Sequence, residues 1–439
     1  MNGPERLAVW LYGTLIAEIT RTRNNRIEMR FTEEALDRFG PDSPILSTSL
    51  LVREERYSNA ATRDFFEGLL PEGEARNQIV RNLNDGRSED RRLDPTDTFG
   101  LLAEIGRESA GALVVQPGND PPSTQLISDV PSISNDLVAE IIANLPQFPL
   151  GVDIPRGIRL SLPGIQRKLP LVRRTDGRWA IPTDGAPSTH ILKPQIADTR
   201  FPKSVENEYF CMKLAARAGL SVAKVELEQL GGKRVLVVER FDRRLANGRL
   251  QRIHQEDACQ ALGIRPKYEQ DGGPSFRRLA GVLSSFERKD ELAPLLTLAT
   301  FNMIIGNADA HGKNYSILHD ELGQIALAPA YDLMSTVLYP DIDTVLGMYI
   351  DNVRQIQRVE RNRIVNEGES WGLTRTEADR AVSDTIMRVA EALAHPVDLE
   401  PYEADLMKLV EARTAGLSSR MLFARGDDDN YGGTSSGTS

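Results

Sequence analysis

The chain has 439 residues, of which 40% are hydrophobic and 26% charged, with a formal net charge of −10 at neutral pH. That length suits two or three domains with a sizeable core, and the composition is that of an ordinary globular protein, which excludes disordered and fibrous classes. The acidic balance argues against nonspecific adhesion to nucleic acid or to an anionic membrane surface.

Residues 1–117 read as a β-rich docking unit. Leu7 to Leu11 and Leu15 to Ile19 flank Tyr12, Gly13 and Thr14 as an opening hairpin, and Ile27 to Phe31 alternates as a third, half-buried strand. Phe65 to Gly73 is expected to break the chain before a helix that starts near Glu74. Phe99 to Ile105 is expected as a helix and Ala110 to Val115 as a strand closing the unit. No constellation of reactive side chains stands out in it. No basic flank followed by an apolar stretch opens the chain, so no signal peptide is expected. Residues 118–134, with Gly118, Pro121, Pro122 and Pro131, read as a linker.

Residues 135–240 read as a small lobe. Arg159 to Leu169 sits between apolar flanks and contains one glycine, Gly164. A plain turn between strands and a phosphate-cradling loop are both open readings; in the second, backbone N–H groups hold phosphates and Gln166 and Lys168 add donors. Thr189 to Pro194 is a short strand carrying Lys193, followed by a helix on which Val205, Tyr209, Met212 and Ala216 recur. Glu206 and Glu208 lie in its first turns, where a carboxylate either favours the helix dipole or pairs with Lys193. Arg234 to Asp242 is a buried strand running into a polar break. It is either core alone or a hinge whose main chain at Glu239 and Phe241 meets an adenine edge.

Residues 241–425 read as a mainly helical large lobe. His254 to Gly263 is expected as a helix stopped by glycine, and Lys267 to Pro274 as a turn-rich loop of no special chemistry. The apolar run Leu292 to Ile305 is short and contains Pro294, so it is a core helix and not a membrane span. It delivers the chain to Gly306, where the sequence turns polar. Asp309 and Asn314 are five apart, and Asp332 follows beyond a strand-like segment. Phosphotransferases use this order of side chains: the first Asp accepts or orients the attacking hydroxyl, and the Asn and second Asp hold Mg²⁺ against ATP phosphates. Such loops are also rich in Asx residues simply because these satisfy turn backbone. Cys211 and Cys259 sit in apolar helix-like settings as reduced core residues of a cytoplasmic protein, and no zinc spacing is present. Thr374 to Glu377 is a capping box opening a core-covering helix, and a second helix runs through Leu406 to Leu417. Residues 426–439 read as a low-complexity tail.

Taken together, Ser161 to Lys168, His190 to Lys193, Asn207 to Tyr209, Val238 to Asp242, Gln255 to Asp257, Lys267 to Pro274, Asn307 to Asn314 and Tyr331–Asp332 resemble the HipA family of serine/threonine kinase toxins from bacterial HipBA toxin–antitoxin modules. Phe65 to Arg76 and Leu101 to Gly106 resemble its N-terminal subdomain more loosely. The resemblance implies an α+β, bilobal fold related to protein and phosphoinositide kinases, with the N-terminal β-rich subdomain added. It implies ATP and Mg²⁺ as cofactors, with Asp309 as catalytic base and Asn314 and Asp332 as metal ligands. ATP would be held by Ser161, Gly164, Gln166, Lys168, Lys193, Glu239, Phe241, His311 and Lys313, with Glu208 pairing with Lys193. It further implies autophosphorylation of Ser161, a protein substrate among the aminoacyl-tRNA synthetases (glutamyl type), and a dimeric HipB-like helix-turn-helix antitoxin that mediates contact with operator DNA. No membrane partner is implied. Two other readings remain at this stage: a small-molecule kinase, and a catalytically inactive repressor-partner scaffold.

Overall fold

The computed structural model describes residues 5–122, 130–152, 160–164, 166–183, 185–246, 249–395, 399 and 403–424. The expected tail, residues 123–129 of the linker, and Arg159 and Ile165 of the expected phosphate loop therefore lie outside the described residues.

The first unit is a four-stranded antiparallel sheet in the order Ile27–Phe31, Thr14–Arg21, Arg6–Leu11, Val114–Pro117. Alternation on these strands sends Leu7, Val9, Leu11, Ala17 and Ile19 into one core, joined by Ile16 at a β-bulge, and Ala8, Trp10 and Val114 to the opposite face. Helices Glu33–Phe39, Asn59–Glu67, Gly73–Asn84 and Thr98–Ile105 cover the larger core. Thr32, Ser58 and Asp97 cap three of them by accepting an N–H bond from Ala35, Ala61 and Gly100.

Two expectations for this unit are corrected. Phe65 to Glu67 do not break the chain; they finish the helix Asn59–Glu67, with both phenyl rings fully buried, and the break begins at Gly68. The closing strand occupies Val114–Pro117 and not Ala110 to Val115. Gly111 has φ +74, and its N–H donates to Asp242 Oδ2 at 2.7 Å, outside any sheet. A Cβ there would lie 2.8 Å from Gln255 N, so this close approach to the large lobe keeps the backbone off the sheet.

The second unit is a six-stranded antiparallel sheet: Ser132–Ile133, Trp179–Ala180, Leu169–Arg173, His190–Pro194, Lys233–Glu239, Val225–Leu230. The end of the expected linker thus serves as an edge strand, and Ser134 caps the helix Asn135–Ala143. Period-2 alternation on Lys233–Glu239 divides it between two cores. Val235 and Val237 meet Val138, Leu171 and Trp179, while Leu236 and Val238 meet Phe210 and Met212 of the helix Ser204–Arg217.

The third unit is built on the buried, mostly apolar helix Leu292–Ile305, surrounded by Phe276–Ser285, Arg361–Ser370, Arg375–Leu393 and Ala404–Ala424. Here the expected helix His254–Gly263 is corrected. Its first four residues form a strand, His254–Asp257, paired with Ser316–His319, and only Ala258–Leu262 is helical. Glu256 is drawn into the strand because its carboxylate accepts bonds from Ser47 Oγ (2.5 Å), Thr48 N (2.9 Å) and His319 Nε2 (3.0 Å). Asp257 caps the shortened helix with Gln260 as its reciprocal partner, and Gly263 stops it at φ +62. Cys211 and Cys259 are free and buried. No described helix is long and apolar enough to cross a membrane.

A buried charge cluster joins the first unit to the other two. Glu108, only 1% exposed, accepts from Ser188 N (2.9 Å), Arg240 (3.0 Å), Arg243 (2.9 Å) and Arg252 (3.0 Å). Arg240 also forks onto Asp242 at 2.9 and 2.7 Å.

Candidate active site

The helix Leu292–Ile305 ends at Gly306, whose left-handed φ of +72 returns its N–H to Met303 O. A Cβ at Gly306 would sit 2.4 Å from Val337 Cγ2, so both conformation and space require glycine. The polar chain that follows is held from below. Asn307 Nδ2 donates to Asn302 Oδ1 (2.9 Å), Asn302 Nδ2 to Tyr315 OH (3.0 Å) and Ala308 N to Thr336 Oγ1 (2.8 Å). Asp309 emerges exposed from this rigid stem.

The hairpin Val345–Ile350/Val353–Gln355 backs the loop: Gly347 N donates to Ala308 O at 2.7 Å. A Cβ on Gly347 would stand 2.8 Å from His311 N and 2.9 Å from Ala310 O, so backbone rests directly on backbone. Gly347→Ala is therefore expected to displace Ala310 and His311 by a few tenths of an ångström and to lower turnover roughly 100-fold, the scale of a small misplacement in a site that works by positioning. Steady-state kinetics beside a melting curve check this, with the folded fraction unchanged.

Asn314 and Asp332 meet directly: Asn314 Nδ2 donates to Asp332 Oδ2 at 2.8 Å, and Asn314 Oδ1 accepts from His311 N at 3.1 Å. Asp332 stands at φ +58, a left-handed conformation that Asp tolerates better than most residues and that aims its carboxylate across the lobes. There Lys193, 139 residues earlier, places Nζ 2.8 Å from Asp332 Oδ1 and 2.6 Å from Glu208 Oε1. Glu206 instead faces Arg234 at 2.7 Å. Burial opposes the charges of Lys193 and Asp332, but each outweighs it in the other: the ammonium is held well above its ordinary range and the Asp332 carboxyl well below. Asp332 keeps 43% of its side-chain surface accessible, so the charged pair lines an open cleft and not a sealed core.

Around this centre, Lys168 donates from Nζ to Pro163 O, and burial together with the charge of Lys193 pushes it down to about 8. Gly164, Gln166 and Lys168 line a hollow of about 310 Å³ shared with Glu74 and Gln78 of the first unit. Ser161 is fully buried; its Oγ donates to Leu69 O at 2.5 Å and its N to Glu108 O at 2.8 Å. Its neighbours Leu160 and Leu162 belong to the core of the first unit. On the hinge, Glu239 N is taken by Lys224 O at 2.9 Å, and the Phe241 ring lies 5.5 Å from that of Tyr331. His311 is lowered by burial and by Lys267. Lys313 Nζ lies 2.8 Å from Glu72 Oε1; burial opposes its charge, and Asp257 and Glu72 raise it.

Glu72, Tyr268 and Gly347 are site residues that pattern reasoning missed. Glu72 belongs to a stretch read as a chain break, and Tyr268 to a loop read as plain turn. Tyr268 OH donates to Asp309 Oδ1 at 2.8 Å. A tyrosine inside a Gly-Gly-Pro turn was the one local signal, since turns rarely need an aromatic ring.

Residues 7–116 match the HipA N-terminal domain, and residues 160–393, more than half of the chain, match the HipA-like C-terminal domain. The chain belongs to the HipA family. A putative kinase of Sinorhizobium fredii is 38% identical over 89% of this chain and 92% of its own length. The serine/threonine-protein kinase toxin HipA of Shewanella oneidensis is 31% identical over 77% of each chain. The solved structure of the Shewanella HipA, HipB and operator DNA complex contains a chain similar to this one with a TM-score of 0.76 and 28% identity, covering 94% of this chain and 96% of that one. The expected bilobal, kinase-like α+β fold with its added N-terminal unit is the HipA fold, and the chain is a HipA-family toxin kinase.

Proposed function

We propose that this HipA-family kinase transfers the γ-phosphoryl group of Mg-ATP to a serine or threonine hydroxyl of a protein. The observation that carries this reading is the junction at Lys193, where one ammonium bridges the helix carboxylate Glu208 and the loop carboxylate Asp332. Phosphate oxygens need such a fixed cation, and the Glu208 bond would keep it in place if Asp332 exchanged its own bond for another partner.

The donor types suit Mg²⁺: Asp332 offers a carboxylate and the adjoining Asn314 an amide oxygen, which would turn from His311 N toward the ion, and a hard cation takes the rest of its oxygens from phosphates and water. When bound, the ion neutralises charge on the transferred group. Asp309 receives the proton of the attacking hydroxyl as the new O–P bond forms and the bond to the β-phosphate oxygen breaks. Lys168, Lys193, His311 and Lys313, with Gly164 and Gln166, line the phosphate side, and the Glu239–Phe241 hinge takes the adenine; Ser161, whose N–H is given to Glu108 O, joins them only once its stretch leaves the first unit's core.

Family membership supports a wider role. The kinase is the toxin of a bacterial module, acts in the cytoplasm, and inhibits translation by phosphorylating an aminoacyl-tRNA synthetase, glutamyl type first. Its antitoxin is a HipB-like helix-turn-helix dimer that carries the contact with operator DNA, in keeping with a net charge of −10 on this chain. Ser161 is the site of self-inactivation, because a phosphate there repels ATP phosphates. Since its hydroxyl is fully buried, modification requires the 160–162 stretch to leave the first unit's core.

The test is phosphosite mapping of unmodified protein after incubation with Mg-ATP, beside Asp309→Ala. Phosphate is expected on the wild type, with the rate reduced about 100- to 10,000-fold in the variant, as loss of a general base implies. A wild type that binds ATP yet transfers no phosphate to itself or to any protein overturns the reading.

A further inference from the structure

We infer that Tyr268 is the positioning residue of the base: its phenol fixes the Asp309 carboxylate so that one oxygen is held and the other is presented to the substrate hydroxyl. This role rests on the kinase reading above. Tyr268 OH donates to Asp309 Oδ1 at 2.8 Å, and Asp309 is exposed, so Oδ2 remains for an incoming acceptor. An exposed carboxylate on a loop tip has free rotation about two bonds, whereas a general base must keep one lone pair on the proton it takes. A third group that orients the base is the usual solution, and a neutral donor does so without cancelling the negative charge.

The phenol is itself held in place. On one side Gly312 N donates to Lys267 O at 2.9 Å, and on the other Tyr349 N donates to Glu269 Oε2 at 2.7 Å, so both neighbours of Tyr268 are tied to the catalytic loop and its backing hairpin. The ring stands edge-on to His311 with centroids 5.2 Å apart, and the Lys267 ammonium lies 5.1 Å from its centroid. Gly273 makes the return turn possible, because a Cβ there would meet the Pro266 and Tyr268 carbonyl oxygens at 2.6 Å. Burial, then the charge of Asp309, pushes the phenol far above its ordinary range, so it stays a protonated donor at any physiological pH. A turn of this construction, with both flanks anchored and its one aromatic side chain ending on the base, is the loop that the sequence pattern leaves without a purpose.

The experiment compares wild type, Tyr268→Phe, Asp309→Ala and the double variant by single-turnover transfer from γ-labelled ATP, both to the chain itself and to dephosphorylated casein. Tyr268→Phe keeps the ring contacts and removes only the hydroxyl. The expected result is a transfer rate lowered roughly 10- to 100-fold, the scale on which loss of an orienting partner acts, with the half-saturating ATP concentration and melting temperature unchanged. In the Asp309→Ala background the same substitution is expected to change nothing, since a group acting through Asp309 has nothing left to orient. A merely structural tyrosine would lower the rate in both backgrounds or lower the melting temperature, and either outcome overturns the inference. A Tyr268→Phe rate equal to or above wild type also overturns it and makes the phenol a plug on the base. A wild type without transfer removes the kinase reading itself, and that outcome is distinct from all the others.

Discussion

Asp332→Asn is expected to reduce phosphoryl transfer at least about 1,000-fold while leaving the protein folded. Asparagine is the residue closest to aspartate in shape and tolerates the same left-handed backbone, here φ +58, so no new strain is introduced. What changes is charge. The carboxylate is one of two partners of Lys193 and the neighbour of the Asn314 amide, so its loss removes the charged donor of the proposed cation site. It also leaves the ammonium paired with Glu208 alone. A thousandfold corresponds to about 4 kcal/mol of barrier, the scale on which one preorganised electrostatic group acts. Turnover measured beside a thermal melt decides it. Activity within tenfold of wild type at an unchanged melting temperature would remove Asp332 from the chemistry.

The second large effect concerns stability. Glu108→Ala is expected to destabilise the fold by on the order of 3–5 kcal/mol, because three guanidinium groups lose a common buried carboxylate and Asp242 is left as the acidic partner of Arg240 and Arg243 alone. Urea unfolding read at the midpoint measures it, and a change below about 1 kcal/mol would show that water replaces the carboxylate at no cost. The same residue gives the wild type an acid limb. Burial opposes ionisation of Glu108, but Arg243, Arg252 and Arg240 outweigh it and hold the carboxyl at about 2, below its ordinary 4.5. A depressed carboxyl contributes stability that is complete above the ordinary value and is lost as pH falls toward the folded one. Wild type should therefore lose stability between about pH 4.5 and 2, and Glu108→Gln should lack that part of the acid slope.

The strands were legible because their signals are local: Ile27–Phe31 alternates with a period of two, Arg6–Leu11 and Thr14–Arg21 hold apolar runs on either side of a turn, and Lys233–Glu239 holds a continuous apolar run. The capping box at Thr374 and the glycine stop at Gly263 were legible for the same reason. His254–Asp257 was not, since Glu256 looks like a helix former until Ser47 and Thr48, more than 200 residues earlier in the chain, claim its carboxylate. At the site, the spacing of Asp309, Asn314 and Asp332 is visible in the chain, and Lys193 stands out once a strand and helix follow in order. The pairing of Lys193 with Glu208 and not Glu206 came from the family resemblance and not from spacing, and nothing local tells that Glu72 crosses from the first unit to Lys313 or that Glu108 gathers three arginines. Those contacts join residues 15 to 241 positions apart, and no periodicity encodes them.

The burial of Leu160, Ser161 and Leu162 in the first unit's core bears on how such chains can recombine. The family's two domain matches, 7–116 and 160–393, suggest a cut between them, yet the second begins with the very residues that complete the packing of the first. A chimera joined in that interval would pair one parent's core with another parent's plug. Compatible parents must therefore share the shape of that small seam, whatever their overall identity, and a graft that carries residues 160–162 along with the front half is the one expected to fold.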